Sequence, residues 1–346
     1  MEHDPLFYLV PWFSALVLTV AVLSLIGYIP FFREVAVRQE KGRACSMPRF
    51  YRLGGALLAG IFLSLLIADG RVEWNPPFVA LCIGSLAIII FSVADDLDHV
   101  AWPWHLAFQI LLGVLVYSAG MQLEIWSYLG GSGEGSFSWL IGLGGVILWV
   151  ILIMNAINWS DGTDGLMPGV AFLSFGTVFI LALRPEVNQP AVALLGATLL
   201  GLSLGLFLFN WYPAKILSGT GGAYFFGFAL AVLALYAGMK VATLLLVLAV
   251  PVLDAISVFI RRVASGHSPF LPDKEHLHHL LLARGWQPTW VAAAYLVVTG
   301  LMGLLALSLE GSEKAIVFLI VGMLFVATSI VLHISLRTQF KKDHLV

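Results

Sequence analysis

The stretch "NAINWSDGTDGL", Asn155 to Leu166, sets two carboxamides, two carboxylates and two Asp-Gly steps directly after the apolar run "GVILWVILIM". Asn155, Asn158, Asp161 and Asp164 recur at every third position. Three-residue spacing keeps neighbours near one helical face, so a helix continuing past the apolar run turns the first three into one polar ridge. Gly162 and Gly165 open backbone conformations closed to other residues and let a ligand approach the main chain. A phosphate or nucleotide suits such a place, with the carboxamides donating hydrogen bonds and Asp161 holding a metal ion or a proton. An ordinary polar loop does not account for so regular a run.

Three further segments carry reactive side chains. In "FSVADDLDH", Asp95 and Asp96 end an apolar helix. Adjacent carboxylates repel unless a cation sits beside them, and Mg²⁺ suits a few carboxylates combined with substrate phosphates; the plainer reading is that the pair marks the helix end in water. "DKEHLHHLLLARG" holds His276, His278 and His279 with no cysteine nearby, so a four-ligand zinc site is not indicated. Imidazoles beside Arg261, Arg262 and Lys274 read instead as a positive patch for a diphosphate, or as a solvated basic loop facing anionic lipid. In "RACSMPRFYRLGGALLAG", Arg49 and Arg52 precede Gly54 and Gly55. A basic segment before a helix N-terminus suits an anion; close helix packing at the glycines is the alternative.

These segments need a scaffold, and the composition names its class. With 60% hydrophobic and 11% charged residues and a mean hydropathy of +0.95, the chain lies far from soluble proteins, in which about a quarter of residues are charged. An all-α polytopic membrane protein follows. Apolar windows near residues 6–32, 53–68, 77–94, 104–120, 139–155, 167–183, 189–209, 222–236, 240–259, 289–308 and 315–335 predict about ten or eleven spanning helices. No polar stretch is long enough for a separate soluble domain, so residues 1–346 read as a single transmembrane domain. "MEHDP" lacks the positive region and cleavage site of a signal peptide. Cys45 and Cys82 show no metal-type spacing.

Alternating the loops from an outside N-terminus leaves only Arg71, Arg184, Lys240 and Lys314 of the 18 lysines and arginines on the outer side, and the C-terminus inside. The positive-inside rule makes the other side cytoplasmic. The four reactive segments and "NWYPAKILSGTGG" all fall there. A transporter would place ionisable groups and broken helices near the midplane; the apolar windows are almost free of them except at ends, as with Asp254. An interfacial enzyme is the better reading.

Together the segments resemble the polyprenyl-phosphate N-acetylhexosamine-1-phosphate transferase superfamily, from about Arg38 to Gly285. "PRFYRLGG" looks like its P-R-x-G-G start, lengthened, "DDLDH" like its Asp-Asp motif, and "NAINWSDGTDGL" matches N-x-x-N-x-x-D-G-x-D-G-L in full. "FNWYPAKI", "PVLDAISVFIRR" and "DKEHLHHLLL" look like its later blocks. The resemblance implies a bacterial cytoplasmic-membrane enzyme with its active site facing the cytoplasm. It would transfer an N-acetylhexosamine-1-phosphate from a UDP-sugar to undecaprenyl phosphate, with Mg²⁺ or alternatively Mn²⁺ as cofactor. The expected partners are UDP-N-acetylhexosamine, undecaprenyl phosphate and membrane lipid, with no nucleic acid and with homodimer formation left open. By the same resemblance Asp95 or Asp96 handles the lipid phosphate, with a general-base role open. Asn158 and Asp161 serve the metal and diphosphate, and Asp164 the nucleoside end. Arg49, Asn155, Gly165, Lys215, His276, His278 and His279 bind substrate. One departure stands out: where the family has a metal-ligating aspartate after "NWYPAKI", this chain has Thr220. A threonine hydroxyl can bind Mg²⁺ but brings no charge. That leaves an active enzyme with altered metal requirements, or a catalytically silent relative that binds nucleotide sugar or lipid.

Overall fold

The computed structural model describes residues 5–25, 54–98, 100–123, 138–237, 241–266 and 275–343, with side chains described among these except at 5, 6, 97 and 336–343. After a short 3₁₀ turn, Pro5–Tyr8, the described helices are α1 Leu9–Leu25, α2 Gly54–Ala68, α3 Pro76–Leu97, α4 Trp102–Ser118 and α5 Ser138–Trp159. A second 3₁₀ turn, Ser160–Gly162, leads to α6 Leu166–Ala182, α7 Pro190–Asn210, α8 Gly219–Tyr236, α9 Val241–Val247 and α10 Ala249–Ala264. The chain closes with α11 Leu277–Ala283, α12 Pro288–Ser308 and α13 Gly311–Asp343. No strand occurs among the described residues.

Every apolar window contains a helix, but length separates them. Among the described residues six helices are by length and composition able to cross a membrane, namely α3, α5, α7, α8, α12 and α13, and α9 with α10 make a seventh if that bent pair is one span, against the ten or eleven expected over the full chain. The described parts of α1, α2 and α6 are apolar but only 17, 15 and 17 residues long, below the about 20 residues a perpendicular crossing takes. The 240–259 window is also not one rod: α9 and α10 meet at 83° around Leu248. Pro251 falls in the first turn of α10, where a missing N–H breaks no helical bond.

At the centre stands α8, with 83% of its span buried, against 6% for the peripheral α13. It is apolar on all sides, as a helix surrounded by other helices must be, and it packs on α2, α3, α5 and α6. With no hydrophobic effect to drive helices together in lipid, close approach at small residues does the work. A Cβ at Gly227 of α8 would lie 2.7 Å from the Met154 Cα of α5, and one at Gly55 of α2 would lie 1.8 Å from the Gly222 nitrogen of α8. Midway along, the Trp149 indole N–H donates to the Ala231 carbonyl across 3.0 Å, a second tie between α5 and α8.

The end of the bundle away from the reactive segments is closed by polar ties. Asn75 caps α3 by accepting from the Phe78 N–H and donates its amide to the Tyr236 hydroxyl at the far end of α8. Arg71 forks onto Asp69 and reaches the Phe7 carbonyl at 3.2 Å, fixing the N-terminal turn to the α2–α3 loop. That guanidinium holds the Asp69 carboxyl below its ordinary range.

Candidate active site

At the other end, the N-terminal turn of α8 forms a hinge between two carboxylates. The Ser218 hydroxyl donates to Asp161 Oδ1 at 2.6 Å, and Thr220 stands beside Asp95. Positions far apart in sequence thus meet on three consecutive residues. The same turn receives α2: the Gly55 N–H donates to the Ser218 carbonyl at 3.1 Å. Of the two readings of the Gly54–Gly55 helix start, close packing is the one observed at this amide. Arg49 and Arg52 lie outside the described residues.

Asp95 is nearly buried and takes two further contacts on one oxygen. The Val100 N–H donates to Oδ1 at 3.1 Å, and His105 Nε2 lies 3.3 Å from the same atom. Asp96, beside it, is half-buried, and Asp98 is exposed.

The expected single ridge of Asn155, Asn158 and Asp161 does not form. Helix α5 stops at Trp159, and Asp161 sits in a 3₁₀ turn with φ −80° and ψ 23°, off helical geometry. Asn155 faces α4: its amide donates to the Gln109 Oε1 and to the Ile151 carbonyl, both at 2.8 Å. Asn158 is half-buried in the last turn of α5. Asp164 accepts from the Ala214 N–H at 3.0 Å, which ties the block to the α7–α8 loop. Each member meets a different neighbour because the helix ends inside the block.

The two glycines of the block serve different ends. Gly165 has φ +79° and begins α6, and its N–H donates to Asn210 Oδ1 at 2.8 Å. Buried Asn210 returns its amide to the Ile216 carbonyl at 2.9 Å, so one side chain joins the block to the loop carrying Lys215 and Ser218. The Lys215 side chain is exposed on that loop. At Gly162 the need is space: a Cβ would lie 2.1 Å from His278 Nε2.

The histidines therefore pack directly on the Asn/Asp block. His276 Nδ1 lies 2.9 Å from Asp254 Oδ2, while Asp254 Oδ1 accepts from the Leu277 N–H at 2.9 Å. The His276 ring sits 5.4 Å from Trp159, and the His278 and His279 ring centres are 4.1 Å apart. The expected positive patch requires correction at His278. Burial, reinforced by His279 and His276, pushes its pKa down to about 2, so this imidazole is neutral at ordinary pH. It offers a hydrogen-bonding nitrogen rather than a charge.

No group of three or more His, Cys, Asp or Glu converges as a metal site among the described residues. At the turn the Asp161 carboxylate meets the Ser218 hydroxyl, with Asn158 in the last turn of α5 just before it. Such a set suits a Mg²⁺ that keeps waters and takes its remaining ligands from substrate phosphates, rather than one caged by protein.

The sequence reading passed over His105, Gln109, Ser218, Tyr224 and Asn210. Gln109 stands four residues after His105, one turn along the same face of α4, which was a usable signal. Asn210 and Ser218 lie in the block "FNWYPAKILSGTGG" that the sequence singled out, but nothing in it distinguished them, because polar residues at helix ends are ordinary.

The family model of glycosyl transferase family 4 matches residues 78–238, from α3 to just past α8. The chain is 30% identical to the phospho-N-acetylmuramoyl-pentapeptide-transferase of Latilactobacillus sakei, over 81% of this chain and 91% of that protein. It is 28% identical to the undecaprenyl-phosphate alpha-N-acetylglucosaminyl 1-phosphate transferase of Yersinia pestis, over 72% of each chain. The enzyme of that name from Escherichia coli is 26% identical, over 81% of this chain and 78% of its own length. With its Asp-Asp pair, its full Asn/Asp block and its histidine loop gathered around one helix end, the chain belongs to glycosyl transferase family 4.

Proposed function

We propose that this protein transfers an N-acetylhexosamine-1-phosphate from a UDP-sugar to undecaprenyl phosphate, releasing UMP and starting a lipid-linked envelope glycan. The observation that carries the reading is the α8 turn, where the Ser218 hydroxyl bonds Asp161 and Thr220 stands beside Asp95. A lipid phosphate handled at Asp95 and a nucleotide diphosphate handled at Asp161 then meet across one helical turn. The names of the relatives support the same substrates.

In the reaction an oxygen of the lipid phosphate attacks the β-phosphorus of the UDP-sugar. A new P–O–P bond forms, the old diphosphate bond breaks, and UMP leaves with its electrons. A phosphate monoester has its second pKa near ~6, so the nucleophile is largely ionised at pH 7 and Asp95 need not remove a proton. Its task is to orient the phosphate. Asp161, with Asn158, would hold Mg²⁺ or Mn²⁺ brought by the diphosphate; such an ion neutralises charge on the transferring phosphoryl group. Thr220 adds no charge to that set, so much of the metal's hold comes from substrate. Neutral His278, with His276 oriented by Asp254, supplies hydrogen bonds beside Gly162 for the diphosphate and sugar. Asp164 and Gly165 line the nucleoside end, with Lys215 nearby. Binding two anions in line at one place contributes the largest part of catalysis in such transfers.

The same reading makes residues 1–346 one catalytic domain in the bacterial cytoplasmic membrane, with the α8 turn facing the cytoplasm, and it allows a homodimer. The test is UMP release by the purified protein given undecaprenyl phosphate and a panel of UDP-N-acetylhexosamines, with and without Mg²⁺. Lipid-dependent UMP from one donor is expected. UDP-sugar binding without UMP under any metal would favour the silent relative, for which Thr220 is the specific reason.

A further inference from the structure

Asp95 is held by a residue outside every recognised motif. His105, in the first turn of α4, places Nε2 3.3 Å from Asp95 Oδ1 and Nδ1 2.9 Å from the Tyr224 hydroxyl. A neutral imidazole donates through one nitrogen and accepts through the other. With Nε2 carrying the hydrogen, the ring donates to the Val100 carbonyl at 3.2 Å while Nε2 stays in contact with Asp95, and Nδ1 accepts from Tyr224, a tautomer assigned from this network. The ring is caged: Phe91 meets it edge-on at 4.9 Å and Tyr224 at 5.8 Å, and Phe91 is itself stacked on Phe108 at 4.2 Å. Gln109, one turn along α4 and in interaction with Tyr224, pairs with Asn155 at 2.8 Å. Tyr224 and Gln109 are 3% and 2% exposed, too little for water to replace a lost partner, so each group depends on the next.

We propose that His105 is a positioning residue for the transfer. It fixes the Asp95 carboxylate in one orientation and, through Tyr224 and Gln109, ties that orientation to Asn155 at the head of the Asn/Asp block. The inference rests on the transferase reading for the role of Asp95, and on geometry alone for the chain of contacts. A functional consequence follows from the continuity: the lipid-phosphate carboxylate and the nucleotide block are aligned by one line of polar contacts across α3, α4, α8 and α5. Misplacing a reacting group by about 1 Å is enough to cost ~100-fold in rate.

The test uses the full-length protein in detergent with undecaprenyl phosphate and the UDP-sugar it accepts, comparing wild type, His105→Leu, His105→Gln and Tyr224→Phe. Glutamine presents a donor and an acceptor at about the reach of an imidazole. The expected result is a kcat lower by about 100-fold in His105→Leu, a KM for UDP-sugar within about twofold of wild type, and recovery to within about tenfold in His105→Gln. Tyr224→Phe should lose kcat in the same sense. A His105→Leu enzyme with wild-type kcat overturns the proposal, as does a glutamine variant no better than leucine, which would make ring bulk the relevant property. Should the leucine variant fail to purify as a single species, a Tyr224→Phe protein with wild-type kcat decides against it. The same four proteins are scored for thermal stabilisation by undecaprenyl phosphate. If the wild type releases no UMP, the transferase reading falls while this shift still decides: its loss in His105→Leu supports the positioning role, and its retention overturns it.

Discussion

The Ser218 hydroxyl donates to Asp161 Oδ1 across 2.6 Å, although 57 residues separate them in sequence. This short bond joins the first turn of the most buried helix to the loop with the densest polar chemistry. Removing the donor leaves Asp161 without one orienting partner. Ser218→Ala should lower kcat by about 10- to 100-fold, by analogy with outer partners of metal-binding groups. Asp161→Ala should abolish turnover. Steady-state UMP release checks both, and a Ser218→Ala enzyme at wild-type rate would remove the hinge from the mechanism.

Thr220 stands beside Asp95, so Thr220→Asp sets two carboxylates together at the same turn. Unpaired, they repel; with a divalent cation between them they add charge to the metal site. The variant is expected to turn over with a half-saturating Mg²⁺ concentration below that of the wild type. Complete inactivity across a Mg²⁺ titration would count against the account given for this position.

Gly55 and Gly60 lie one and a half turns apart on α2 but face different surroundings. A Cβ at Gly55 would meet the Gly222 backbone nitrogen at 1.8 Å, while one at Gly60 meets nothing within 4 Å. Gly55→Ala must push α2 away from α8 and so disturb the Ser218 turn. We expect Gly55→Ala to lose the folded, monodisperse protein or its activity, with Gly60→Ala matching wild type. Size-exclusion profiles and UMP release distinguish the two.

His278 predicts an acid-side loss of stability. Its folded-state pKa is depressed to about 2 by burial and by its histidine neighbours, while the unfolded value is near 6.5. Between those values the unfolded chain binds one more proton than the folded one, so stability falls as pH drops below about 6.5 and is intact above it. The slope for one such group is about 1.4 kcal/mol per pH unit. His278→Gln should therefore lose less thermal stability than wild type between about pH 6.5 and 5. Parallel melting-temperature profiles for the two proteins would contradict the buried neutral imidazole.

Some of this was legible in the chain itself. Apolar runs locate helices because lipid leaves the backbone no partner but itself, and every predicted window contains one. The three-residue spacing of Asn155, Asn158 and Asp161 marked the block as unusual, yet the ridge it implied dissolves because α5 ends at Trp159. A local period describes side chains only while the element continues. Helix ends were less legible for a related reason: hydropathy does not register the left-handed Gly165 that starts α6, or the 83° break at Leu248.

What the sequence by itself determined is the membrane class and the residue types gathered at one set of helix ends. Composition and local spacing act through solvent, and solvent is the same for every helix. The tertiary structure alone decided which polar group meets which: Ser218 with Asp161, His105 with Asp95, Asn155 with Gln109, and His278 against Gly162. Those pairings depend on which helices the small residues allow to touch. In a low-dielectric interior each polar side chain must then take the partner that packing brings within reach.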